Sequence, residues 1–352
     1  MDRDDTEALV AQVTDATARG TPLRVTGGDT KRFFGRTVSG EPLSVQAHRG
    51  ILRHDPAELV ITARAGTPLD EIESQLEAAG QRLPFEPPHF GRPATIGGTI
   101  AAGLAGPARA WSGPARDYVL GAVVLAGDGR VLRFGGEVMK NVAGYDLARV
   151  MAGSLGILGV LLEVSLKVLP RAAAERTLAL DMDERAALER LGALAGSALP
   201  LTAGSWIDGR LYLRFEGSAK TLASVTARVG GELLDDGASF WTSLREQSHG
   251  YFAGPDALWR ITLPPAAAVM ALGGPVLLEW NGQQRWCRAG ADAPLHEAAA
   301  NVGGHATLFR NAPRDCEVFA PLAGPLLRVH RELKRVFDPA GILNPGRMYA
   351  EL

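Results

Sequence analysis

Apolar positions recur along this chain with two periods, one near 3.6 and one of 2. Between residues 5 and 19, Leu9, Val10, Val13 and Ala16 share one side of a predicted helix, with Asp5 or Thr6 as cap and Gly20 as stop. Leu23 to Thr26 predicts a short strand that runs into Gly27-Gly28-Asp29-Thr30-Lys31. Glu58 to Arg64 alternates as a second strand, turned by Gly66. Thr67 then reads as a helix cap, with Pro68 at the first helical position and Asp70 three residues after the cap. Leu69, Ile72, Leu76 and Ala79 predict that helix's buried stripe, and Gly80 its end.

The pattern is densest between Gly135 and Pro170. A polar elbow containing Lys140, Asn141, Tyr145 and Asp146 precedes a short helical run and then Gly153, Gly156 and Gly159. Val160, Leu162, Val164, Leu166 and Val168 follow at alternate positions, the pattern of a half-buried strand. Just upstream, Tyr118 to Ala126 and Arg130 to Phe134 predict a hairpin across Gly127-Asp128-Gly129.

Beyond Pro170 the texture changes. A helix over Glu184 to Ala195 and strands over Leu211 to Phe215, Trp259 to Leu263 and Val276 to Trp280 predict an α+β region with no recognisable chemical cluster. Residues 326–337 predict a last amphipathic helix, with Leu326, Leu327, His330, Leu333 and Phe337 near one face.

Composition narrows the class. The 352 residues, 46% hydrophobic and 22% charged, suit a globular protein of one large domain or two. A net charge of −2 gives no electrostatic case for nucleic acid. Two cysteines, Cys287 and Cys316, are too few for an iron–sulfur cluster or a structural zinc site built from this chain alone, and they make a reducing cytoplasm the default. The acidic start MDRDDTEALV has no signal core, and the uncharged run from Pro93 to Ala108 is too broken by glycine and proline to cross a membrane.

Candidate chemistry lies in the glycine-rich turns. A strand running into Gly27-Gly28-Asp29-Thr30-Lys31 presents backbone N–H groups that can hold an anion such as a pyrophosphate; a plain strand-to-loop turn has the same residues. The segment Ala94 to Gly103, which includes Thr95, Ile96, Gly97, Gly98 and Thr99, suits a turn hugging a ligand before a short packed helix, or a crowded helix crossing. His89 reads as a loop residue.

Six motifs occur in order: VTGGDT (25–30), ATIGGT (94–99), GPARDYVLG (113–121), KNVAGYDL (140–147), GSLGILGV (153–160) and FDPAGILNPGRM (337–348). Together they resemble the vanillyl-alcohol-oxidase-type, or PCMH-type, FAD-binding family, and within it the FAD-binding subunits of bacterial glycolate oxidases. The resemblance is dense over residues 20–170, good over 326–350 and loose between. It implies an α+β fold: a PCMH-type FAD-binding domain of two α+β subdomains over 1–171, an α+β cap over 172–325, and a C-terminal helix and tail over 326–352 that returns to the FAD domain.

The resemblance also implies roles. Gly27, Gly28, Asp29 and Thr30 would hold the FAD pyrophosphate, with Lys31 beside them; Thr95, Ile96, Gly97, Gly98 and Thr99 would do the same from the second turn, with Gly103 closing it. Asp117 belongs to the third motif and is counted with the cofactor residues. Lys140, Asn141 and Tyr145 would lie near the isoalloxazine; Gly153, Gly156, Ile157, Gly159 and Val160 would line the adenine and ribose side; Asn344 would return to the flavin domain. Some relatives tether FAD through a histidine in the first turn, and Asp29 stands at or near that place, so non-covalent FAD is expected.

A second departure concerns catalysis. Larger 2-hydroxy-acid dehydrogenases of the family carry a HxGDGNxH-like run and a later acidic-His run, and this chain has neither. His305 is its best single polar candidate, and Arg310 and Arg314 could grip a carboxylate. The expected function is a FAD-carrying subunit that oxidises glycolate to glyoxylate within a complex. Its expected partners are a larger FAD-containing catalytic subunit and an iron–sulfur subunit, with this chain's flavin relaying electrons. The alternatives are a self-sufficient FAD oxidoreductase of another small alcohol, sugar acid or lactone, and a flavin-free scaffold. A cytoplasmic location, peripheral at the inner membrane through the complex, follows from the same likeness.

Overall fold

The computed structural model of the chain describes residues 2–136 and 146–352. Lys140, Asn141 and Tyr145 lie outside the described residues.

Helix α1 (Thr6–Arg19) buries Leu9, Val13 and Ala16 and stops at Gly20, whose φ of 62° suits glycine. Neither expected cap side chain is used: the Thr6 N–H donates instead to the Asp4 carboxylate at 3.0 Å. Strand β1 (Leu23–Thr26) pairs in parallel with β2 (Glu41–Ser44). Strands β3 (Ile51–Asp55) and β4 (Val60–Arg64) follow. β4 begins later than the alternation predicts because the chain is still turning: the Glu58 N–H is held by Asp55 and Leu59 has a φ of 57°. Thr67 does not cap α2 (Leu69–Ala78). Its hydroxyl donates to Arg64 O and accepts the Gly50 N–H, which fastens the end of β4, and Pro68 stays outside the helix. Leu69, Ile72 and Leu76 are buried as predicted, whereas Ala79, at the end of the helix, is exposed.

After β5 (Gln81–Arg82) come α3 (Ile96–Ala102), α4 (Arg109–Ser112), the hairpin β6 (Val119–Leu125) and β7 (Val131–Gly135), then α5 (Leu147–Val150), β8 (Val160–Lys167) and β9 (Leu169–Pro170). β3, β4, β8, β6 and β7 form an antiparallel sheet in that order, so the strand that closes the Gly135–Pro170 stretch lies at its centre. That position corrects the half-buried reading: Leu161 and Ser165, on the face expected to meet solvent, are also buried.

The second half is one antiparallel sheet of eight strands: β10 (Ala174–Asp181), β11 (Leu201–Ile207), β12 (Arg210–Gly217), β13 (Glu232–Leu233), β14 (Ala257–Thr262), β15 (Val276–Glu279), β16 (Gln284–Ala289) and β17 (His305–Arg310), in the spatial order β13-β10-β12-β11-β15-β16-β14-β17. Helices α6 (Glu184–Ala195), α7 (Ala219–Val229), α8 (Gly237–Arg245) and α9 (Leu295–Ala300) are interleaved with it. Trp286, Phe309 and Leu258 from this sheet pack with Phe34, Leu104 and Leu155 from the first half, so one apolar core joins the two.

The last helix, α10 (Gly324–Phe337), is mostly exposed. Its buried residues are Lys334 and Phe337, and Leu326, assigned to the inner face from the pattern, is 48% exposed. The Lys334 ammonium is satisfied by Ile157 O, Leu343 O and Asp338, which is why a lysine occupies the inner side of this helix. Past it, Leu343 makes a parallel bridge to Leu23, adding the tail to the edge of β1.

Candidate functional site

The turn after β1 is shaped by its neighbours. A Cβ on Gly27 would collide with the Thr95 hydroxyl and one on Gly28 with Pro93 O, so the first turn lies directly on the segment leading into α3. Among the described residues, the backbone N–H groups of residues 27–31 donate to no protein acceptor. Asp29 takes a φ of 55°, which keeps the turn curled. A curled run of free N–H groups is an anion nest.

The second turn differs. Thr95 caps α3 by accepting the Gly98 N–H at 3.3 Å, Ile96 N–H goes to Thr67 O, and Gly97 N–H goes to Ala65 O. Gly97 is glycine for packing, since its Cβ would lie 2.5 Å from that of Ala65. The Thr99 hydroxyl is buried without a partner.

These turns border one groove. Gly27, Gly28, Asp29, Thr30, Lys31, Thr95, Gly98 and Asn344 line a space of about 130 Å³; Gly97, Gly98, Gly156, Val160 and Asn344 line its continuation of about 70 Å³. Other expected residues stand behind it. Ile96 and Ile157 are core residues, Gly103 closes α3 against Gly153, and Gly159 fits beneath Val124. Asp117 is half-exposed in the turn before β6, with its carboxylate 3.7 Å from Arg116, and does not line the groove.

The C-terminal tail completes the walls. Asn344 accepts the Val25 N–H at 2.8 Å and donates to Leu155 O at 2.7 Å, which ties β1 to the turn bearing Gly153 and Gly156. Arg347 donates to the carbonyls of Lys31, Arg32 and Arg36. It was not singled out from the sequence, although it lies in the motif that contains Asn344. Arg347 thus brings positive charge to the nest and fixes the shape of the chain behind it. Burial lowers its guanidinium to about 10, still charged at neutral pH. Lys31 donates to His89 O at 3.2 Å, and burial lowers its ammonium to about 8. Free N–H donors with Lys31 and Arg347 beside them form a donor set that fits a pyrophosphate.

His305 is exposed at the start of β17, and no second histidine joins it: among the described residues no group of His, Cys, Asp or Glu could hold a metal ion. His89 bonds Glu73 at 2.9 Å and Asp70 at 3.1 Å, and the Glu73 hydrogen bond, outweighing burial, raises its pKa. Arg310 packs its guanidinium on Phe33, 4.2 Å from the ring centroid, and Arg314 donates to Leu308 O.

Residues 4–135 match the model of the FAD binding domain, and residues 322–348 that of the C-terminal domain of FAD linked oxidases. Glycolate oxidase subunit GlcE of Escherichia coli (strain K12) is 49% identical over 350 residues, covering 99% of both chains. Glycolate oxidase subunit GlcD of Bacillus subtilis (strain 168) is 32% identical over 160 residues, 46% of this chain and 33% of that protein. Among solved structures, an alkyldihydroxyacetonephosphate synthase shares the fold with a TM-score of 0.67 at 15% identity, over 96% of this chain and 74% of its own. No helix among the described residues is long and apolar enough to cross a membrane. With a likeness that runs end to end, the chain belongs to the FAD-linked oxidase family, in the group of glycolate oxidase subunit GlcE.

Proposed function

We propose that this chain is the FAD-binding subunit of a cytoplasmic complex that oxidises glycolate to glyoxylate, passing the electrons to an iron–sulfur partner. A larger flavoprotein subunit completes that complex and brings it to the inner membrane. The observation that carries the reading is the coincidence of an end-to-end likeness to a glycolate oxidase subunit with an intact anion nest. Bound FAD supplies the hydride acceptor for a CH–OH group; the protein supplies its binding and setting.

The N–H groups of Gly27, Gly28, Asp29 and Thr30 hold the pyrophosphate, and Lys31 and Arg347 balance its charge. Gly98 leaves room for the cofactor at the mouth of α3. Gly156, Val160 and Asn344 wall the continuation of the groove. The FAD is held without a covalent link, because Asp29 stands at or near the place where some relatives carry the tethering histidine.

The test uses the purified chain and the chain co-expressed with its neighbouring subunits. The chain alone is expected to be yellow and to release all its flavin into the supernatant on acid precipitation. The co-expressed complex is expected to bleach that flavin anaerobically on adding glycolate. A colourless chain that FAD cannot reconstitute, or a complex whose flavin ignores glycolate, would sink the reading.

A further inference from the structure

Helix α10 carries an apolar stripe that the rest of the described chain leaves uncovered. Leu326, Val329, Leu333 and Val336 follow one another at alternating steps of three and four residues, the spacing of a seam between two helices. Leu333 is half-buried, but Leu326 is 48% exposed, Val329 54% and Val336 59%. Opposite the stripe stand Leu132 and Phe134 of β7 and Leu147 of α5, and the two walls enclose a groove of about 940 Å³. Phe337 joins the walls at the bottom, with its ring 5.9 Å from that of Phe134. β7 is the last strand of its five-stranded sheet, so its outer edge has no described strand beside it.

The rim of this groove is basic. Arg130, Arg328 and Arg331 stand on it, and among the described residues that line it Glu332 is the only acid. Glu332 is engaged by Arg335 at 2.6 Å, and Arg130 by Asp128 at 2.6 Å. Arg331 is 3.9 Å from Glu351, and Arg328 makes no hydrogen bond or ion pair with a described residue. The whole chain carries −2, so this positive charge is local to the groove. A small-molecule site would set polar groups among its apolar ones to orient the ligand; here the walls are apolar and the charged groups are exposed at the rim. A basic amphipathic helix also suits a membrane surface. That mode presents the apolar face outward to lipid, whereas this stripe is one wall of a concavity with β7 opposite.

We propose that this groove docks an amphipathic helix with acidic flanks, presented by another subunit of the complex. The apolar face of that helix fills the space between the α10 stripe and β7, in the manner of a helix laid into a groove. Its carboxylates meet Arg328 and Arg331 at the rim, which fixes its direction and speeds encounter. The proposal rests on the reading of the chain as one subunit of an oxidising complex. It places assembly on a face apart from the cofactor, since no residue that lines the groove also lines the nest or its continuation.

The tagged chain, co-expressed with its neighbouring subunits, tests this. Val329→Glu and Arg328→Glu are each expected to lower the partner recovered per mole of tagged chain by about tenfold or more. Both should keep the flavin content and melting temperature of the free chain, because both positions are exposed. Val302→Glu, at a valine 49% exposed on the other half, should leave recovery unchanged. Arg328→Glu carries the test should Val329→Glu not fold. A photo-crosslinker placed by Val329→p-benzoylphenylalanine should capture an acidic amphipathic segment of a partner subunit. Unchanged recovery with both variants overturns the proposal, as does a crosslink within this chain, to a second copy of it, or to a basic segment. Binding of the lone chain to phosphatidylglycerol vesicles that Arg328→Glu abolishes, with the subunits still assembled, overturns it in favour of a membrane face. A glycolate-active complex that both variants leave assembled fails the groove alone. A complex that assembles through the groove and ignores glycolate fails the proposed function alone, and no complex with the wild-type chain fails both.

Discussion

Lys31 shows how one side chain can tie cofactor binding to pH. Burial lowers its ammonium to about 8, with Glu246 opposing the shift, while the backbone N–H donors of the nest do not titrate. A pyrophosphate beside it favours the charged form, so binding draws a proton onto Lys31 once the pH exceeds its free-state value. FAD affinity of the apoprotein is therefore expected to be level below about pH 8 and to fall above it. Lys31→Met should lower affinity at pH 7 by about tenfold and flatten the profile between pH 7 and 9; flavin fluorescence titration reads both. A wild-type profile that stays flat through pH 9 would count against charge from Lys31 in the nest. Asp29 and Arg347 belong to the same scale: the first curls the turn, the second holds three of its carbonyls.

Elements acquire their roles from where they lie. The tail after α10 has no regular structure of its own, yet it reaches β1 and the Gly153–Gly156 turn through Asn344, which is 5% exposed. Asn344→Ala leaves the Val25 N–H and Leu155 O unpaired in the interior, at a cost of about 2–4 kcal/mol. Both residues also line the groove, so the variant is expected to lose FAD occupancy along with melting temperature, and differential scanning fluorimetry with and without added FAD measures both losses. Equal melting temperatures for variant and wild type would show that the tail merely lies on the domain. Helix α3 carries a comparable duty, since Gly97 seats it against Ala65 and brings Gly98 to the groove.

At the scale of the molecule, charged pairs bolt the two halves together. Arg82 donates to Glu216 of β12 through both terminal guanidinium nitrogens, and Arg214, also of β12, meets Glu86 at 2.7 Å. Glu246 of the second half receives the N–H groups of His89 and Phe90. Arg214 is 4% exposed and Glu216 8%, so removing one partner strands a buried charge. Arg214→Met is expected to cost about 3–5 kcal/mol and to lower the melting temperature seen by calorimetry, with flavin release preceding the main transition. A variant as stable as the wild type would mean that the apolar contacts around Trp286 and Phe309 hold the halves without this pair.

The sequence by itself determined the elements whose signals are local. Turn glycines, the hairpin at Gly127–Gly129, the helix over Glu184–Ala195 and the alternating strands were legible because periodicity and backbone freedom act over a few residues. The motif string also carried the FAD-binding family. Tertiary structure decided the rest. It showed β8 to be central and so buried on both faces, and it diverted Thr67 from capping a helix to fastening a strand end. It divided the glycines of the motifs between the groove and the packing behind it. It also brought Arg347 from the tail to the first turn and left Arg260 facing Phe34 across the junction. No local pattern marks such residues, because hydrogen bonds and uncompensated charges depend on chain segments hundreds of positions apart.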